Sequence, residues 1–186
     1  LTDNIITNNS FNFYVGGDDF SHFNNYVDTS NTVDGKPIYY LIGATDIIYD
    51  AESNAGTIYL INSNNITIRN LDLKKNFKGI FFWNVTNSKI ENVNASNNWQ
   101  GIVLQYSSNN ILGRNNASSN RNCGIWLQLS SDNNTLSGNI VSNNGNGMGL
   151  YGSCNNTLFG NIVSNNSRGI WDIVSSNNNR IIDNDI

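Results

Sequence analysis

The stretch GIWLQLSSDNNTLSGNIVSNN (124–144) is followed one period later by GMGLYGSCNNTLFGNIVSNN (147–166). Matching segments open at Gly79, Gly101, Gly124, Gly147 and Gly169, at spacings of 22, 23, 23 and 22 residues. Each unit alternates short β-rich runs with Asn, Gly and Ser turns, and none contains a helical period. A coil of three short strands and three turns has this length. The pattern therefore predicts an all-β fold, a right-handed parallel β-helix (solenoid).

Working outward, Ile58 lies 22 residues before Ile80, and Ile38 lies 20 before Ile58. LTDNIITNNSFNFYV at the amino terminus aligns with LFGNIVSNNSRGIWD (158–172), which places Phe13 on Ile170. The expectation is about eight coils of 20–25 residues, whose first strands start near Phe13, Ile38, Ile58, Ile80, Ile102, Ile125, Met148 and Ile170. At one strand spacing per coil this is a rod roughly 35 to 40 Å long. One domain, 1–186, is expected: less regular coils with a loop at 43–55, then regular repeats over 56–186. Both termini fall mid-repeat, so the chain reads as a piece of a longer array.

The chain has 186 residues, a formal charge of −4, 13% charged residues and a single Pro; 40 residues are Asn. Low charge and 20 aromatics argue for a packed core and against disorder. The negative balance argues against a nucleic-acid partner, and no apolar run is long enough to span a bilayer. Asn tolerates left-handed turns, and its amide both donates and accepts. Asn115, Asn139, Asn161 and Asn184 share one aligned position and are expected to form a ladder, with Leu71 and Val93 taking that place in earlier coils.

Strand alternation then sorts the faces. The expected inward pairs run Phe13/Val15, Ile38/Tyr40, Ile58/Leu60, Ile80/Phe82, Ile102/Leu104, Ile125/Leu127, Met148/Leu150 and Ile170/Asp172, with Asp172 the one polar exception, read as a solvated end. The outward columns carry Tyr14, Tyr39, Tyr59, Phe81, Trp126 and Trp171, then Trp83, Gln105, Gln128 and Tyr151, and no charge. A long uncharged aromatic face is unusual for solvent. Sugar rings lie flat on such side chains and Gln binds hydroxyls, so these ten residues are the candidate carbohydrate-binding set. Packing is the competing reading: a neighbouring domain, or the loop between Gly43 and Ala55, would cover them.

Catalysis finds little support in these columns, because acid–base hydrolysis needs paired carboxylates and they hold none. Acids gather instead at Asp46, Asp50 and Glu52, weak calcium candidates, and at Asp18 and Asp19 near His22. Cys123 and Cys154 sit at different places in successive coils, too far apart to bridge. With one His and Met148 they make a poor copper site, and no cofactor is expected. Eight N-glycosylation sequons, at Asn8, Asn65, Asn84, Asn94, Asn116, Asn133, Asn155 and Asn165, lean towards an extracellular or cell-envelope glycoprotein.

SNTVDGKPIYYL (30–41), NNITIRNLDL (64–73), KIENVNASNNWQGI (89–102) and the NTLSGNIVSNN units together resemble the NosD-like, PbH1-repeat β-helix proteins of methanogenic archaeal surfaces. The resemblance implies a cell-envelope location and roles in surface layers, adhesion or carbohydrate handling. It also brings a label of periplasmic copper binding, for which no ligand cluster can be matched here. The expected function is a non-catalytic rigid spacer whose aromatic face meets a polysaccharide or neighbouring domains of the same surface protein. The alternative is a polysaccharide lyase or glycoside hydrolase with its acids in loop 43–55 or outside this chain.

Overall fold

The computed structural model describes residues 1–173 and 175–186, and of Asp172 and Ile173 the backbone alone. Seven strands pair in parallel, in chain order, to build the main sheet: Lys36–Ile42, Thr57–Ile61, Lys78–Trp83, Gln100–Gln105, Cys123–Gln128, Asn146–Tyr151 and Arg168–Ile173. A second parallel sheet runs from Ile48–Tyr49 to Arg180–Ile182. The third side is sparse, with Ile140–Ser142 paired to Ile162–Ser164 and single bridges joining Asp72, Asn94, Asn116 and Ile140. This is a parallel β-helix. Seven main-sheet strands leave six intervals, so it makes about six turns where eight coils were expected.

The interior is the predicted apolar stack. Ile58, Ile80, Ile102, Ile125 and Met148 align across the coils, as do Leu60, Phe82, Leu104, Leu127 and Leu150, and all are buried. The side chain of Asp172 lies outside the described residues. The repeated Gly-Ile pair has a steric cause: a Cβ on Gly101 would stand 2.5 Å from the Gly124 carbonyl oxygen. Only glycine lets consecutive coils approach so closely.

Amides complete the stack. In the expected ladder, the Asn115, Asn139 and Asn161 N–H groups donate to Oδ1 of the next Asn at 2.9–3.0 Å, and each Nδ2 donates to a carbonyl of the preceding coil at 2.9 Å. Two further ladders repeat the arrangement, through Asn76, Asn98, Asn120, Asn144 and Asn166 and through Asn110, Asn134, Asn156 and Asn179. A serine column at Ser107, Ser131, Ser153 and Ser176 does the same with hydroxyls.

Two expectations fail at the amino-terminal end. First, Tyr39 pairs with Ile58 and Leu41 with Leu60, so Tyr39 and Leu41 face the interior while Ile38 and Tyr40 face outward, one residue out of the expected register. Ile38-Tyr39-Tyr40-Leu41 is apolar on both faces, and alternation cannot fix its phase. Second, residues 11–27 add no strand. They cross the outside of the main sheet as an arm, placing Phe13 edge-on to Tyr59 at 5.2 Å and Phe23 against Phe81 and Trp83 at 5.5 and 5.2 Å. Gly16-Gly17-Asp18-Asp19 interrupts any strand there, and Asp19 caps a short helix, Phe20–Phe23. Residues 43–55 are likewise no free loop; they supply the first strand of the second sheet and a 3-10 turn, Ala51–Ser53.

Candidate functional site

The arm decides which outward side chains reach solvent. Tyr59 and Phe81 are fully buried beneath it and Trp83 is 9% exposed, so these three form packing and Tyr39 points inward, its hydroxyl donating to the Ser53 carbonyl at 3.0 Å. The cover is therefore the arm, in place of the neighbouring domain or the 43–55 loop. Tyr14 lies on the arm itself, stacked on Phe77 at 4.2 Å.

Beyond the arm's edge the remaining candidates come together. Gln105 Nε2 donates to the Gly17 carbonyl, and Gln128 Nε2 to Gln105 Oε1, both at 3.4 Å. The rings of Trp126 and Trp171 stand 6.3 Å apart above Gly149, where a Cβ would fall 2.8 Å from Trp171 Nε1. Neither indole N–H has a hydrogen-bond partner. Tyr151 extends the strip and is 40% exposed.

A third outward column escapes strict alternation. The Gly and the Ile of each repeat both face inward, since a Cβ on Gly124 would meet Val141 of the core while Ile125 is buried. The residue before the Gly is thereby turned outward: Lys78, Gln100, Cys123, Asn146 and Arg168. The signal was present in the sequence as the residue preceding each repeated Gly. Lys78 Nζ lies 3.5 Å from the centre of the Phe81 ring and 5.4 Å from that of Tyr14, and burial drives its pKa down to about 7. Arg168 covers Trp171 at 5.6 Å, and Arg121 covers Trp99 at 5.2 Å.

These groups enclose a cleft of about 230 Å³ between the arm and the uncovered coils, with Gln105, Trp126 and Gln128 on one side and Tyr14, Lys78 and Trp99 on the other. A second hollow of about 340 Å³ adjoins it at Asp18 and is lined by Phe20, Trp83 and Tyr106. The arrangement offers flat apolar rings, amides and one buried amine to a ligand chain.

The other candidates lie elsewhere. Asp46 accepts from Asn65 at 2.6 Å, Asp50 pairs with Arg69 of the second sheet at 3.4 Å, and Glu52 is exposed in the 3-10 turn. Among the described residues, no three His, Cys, Asp or Glu side chains gather to hold a metal ion. Cys123 and Cys154 are both free thiols, the first buried. Of the sequon residues, Asn8, Asn65, Asn84, Asn116, Asn133, Asn155 and Asn165 are exposed, whereas Asn94 is half-buried and donates to Asp72 at 2.7 Å. Among the described residues, no helix is long and apolar enough to cross a membrane.

Fold and cleft together define a β-helical solenoid with a ligand-sized groove on its main sheet. The chain belongs to the right-handed β-helix family, whose model matches residues 47–186. Among solved structures it is similar to the periplasmic alginate epimerase AlgG in a Thr-to-Asn mutant, with 25% identity over 69% of this chain and 35% of that one and a TM-score of 0.55. An Asp-to-Ala mutant of the same epimerase gives 23% identity over 70% and 33%, with a TM-score of 0.63. The chain spans about a third of the length of those structures. No curated protein matches its sequence.

Proposed function

We propose that the protein is a polysaccharide-binding β-helix acting outside the cytoplasm, which holds an extended glycan in the cleft between the arm and the uncovered coils. One observation carries this reading. Trp126 and Trp171 present rings over Gly149 with unpartnered indole N–H groups, beside the amides of Gln105 and Gln128. Rings for sugar faces and amides for hydroxyls match a carbohydrate. The likeness to a periplasmic alginate epimerase supports both the ligand class and the location.

A second reading, a polysaccharide-modifying enzyme, is favoured by the Lys78 amine, which shares the cleft with the Tyr14 ring and Asp18. Its test is incubation with candidate polymers, watching by NMR for altered or cleaved residues. The binding reading is tested by tryptophan fluorescence during titration with a panel of neutral and acidic oligosaccharides. A saturable change that disappears in Trp126→Ala is expected. Flat traces across the panel would overturn it and leave the rod as a spacer.

A further inference from the structure

We infer that Lys78 is the residue through which the cleft recognises an acidic substituent, a carboxylate or sulfate, on the bound sugar. The inference rests on the glycan-binding reading and names the class of glycan. Lys78 is only 5% exposed, and among the described residues no carboxylate lies within ion-pair distance of its Nζ. The groups closest to that atom are π faces, Phe81 at 3.5 Å and Tyr14 at 5.4 Å. Such faces attract an ammonium but do not replace the hydrogen bonds it gave up to water. The amine opens into the cleft beside Gln100 and Trp126, unlike the sealed indole N–H groups. A buried cation without a partner, facing a ligand-sized space, is completed by an anion through charge-assisted hydrogen bonds. An acid on one sugar would sit on Nζ while the ring of the next lies on Trp126.

Proton coupling follows. Burial holds the free amine's pKa at about 7, so an anionic ligand must recruit a proton to Lys78 at higher pH. The other ionisable groups facing this space are Tyr14 and Asp18 of the arm and Arg121 above Trp99. His22 stands behind Asp18, its Nδ1 accepting the Asp18 N–H at 3.2 Å. Cys123, beyond Gln100 in the same column, is pushed up to about 12 by burial and stays neutral.

The experiment is calorimetric titration of the whole chain between pH 6 and 9. Its probes are galacturonic acid oligosaccharides, their fully methyl-esterified forms and sulfated galactose oligosaccharides. The acid form should bind more tightly than its ester, with affinity falling by up to about tenfold per pH unit above pH 7. Lys78→Met should erase both the preference and the slope while keeping ester binding. Lys78→Arg should keep the preference and lose the slope, since a guanidinium stays charged. Sulfated chains binding like the uronates would extend the site to any anionic substituent; their exclusion would restrict it to carboxylates. Equal affinity for acid and ester, or a slope that survives Lys78→Met or vanishes in His22→Gln, would overturn the assignment. Absence of binding by every oligosaccharide would instead remove the glycan reading and this inference with it.

Discussion

Asn139 stabilises three successive coils at once: its Oδ1 accepts from Asn115, its N–H donates to Asn161 and its Nδ2 donates to the Leu112 carbonyl, all inside the wall. Removing one amide from such a chain strands buried donors and acceptors. Asn139→Ala should therefore cost about 2 to 3 kcal/mol in urea denaturation. Asn143, an exposed turn residue at φ 57°, should cost about 1 kcal/mol when changed to Ala, since only left-handed strain is at stake. Lys78 contributes in the opposite sense. Folded, it loses its proton near pH 7; unfolded, near 10.5. The protonated buried amine thus destabilises the fold fully below pH 7, and the penalty is relieved as pH rises towards 10. A melting temperature that climbs from pH 7 to 9.5, and a flatter profile in Lys78→Met, would show it. The ladder through Asn115, Asn139, Asn161 and Asn184 is legible in the repeat alignment because single Asn residues recur there. The ladder through Asn98, Asn144 and Asn166 is not, because each is the second of an Asn pair whose first member is an exposed left-handed turn. Composition cannot say which of two adjacent amides turns inward.

Among the elements, the arm carries most of what the sequence concealed. Its sequence aligns with a late repeat, yet Gly16-Gly17-Asp18-Asp19 breaks the strand and Phe13 and Phe23 gain more by covering Tyr59, Phe81 and Trp83. The strands from Thr57 onward were readable because polar and apolar residues alternate with coil-to-coil repetition; the first strand was not, because both its faces are buried. Phe23→Ala should cost about 3 to 5 kcal/mol if the arm is integral to the fold, or raise binding of a hydrophobic dye if the arm merely detaches. Combining that variant with oligosaccharide titration would also show whether the arm's edge helps to form the cleft. In the coils themselves, Gly101→Ala places a methyl 2.5 Å from a neighbouring carbonyl oxygen, and a loss of about 2 kcal/mol or more in denaturation experiments is expected.

For the whole molecule, stability is a sum over coils and their contacts, since each stacks mainly on the one before and the one after. The apolar column, the ladders and the glycine approach all repeat along one axis, which is why the β-helix could be read from periodicity alone. Function does not repeat in this way. The aromatic face is continuous in sequence, but the arm divides it into a covered portion that behaves as a second core and an open portion that can meet a ligand. Four main-sheet strands, from Gln100–Gln105 to Arg168–Ile173, lie beyond that division. Their three spacings of about 4.8 Å amount to roughly 14 Å. The arm is thus a ruler: a ligand chain lying along the axis gains affinity with each added sugar until that length is filled, and further units project past the measured span without adding to binding.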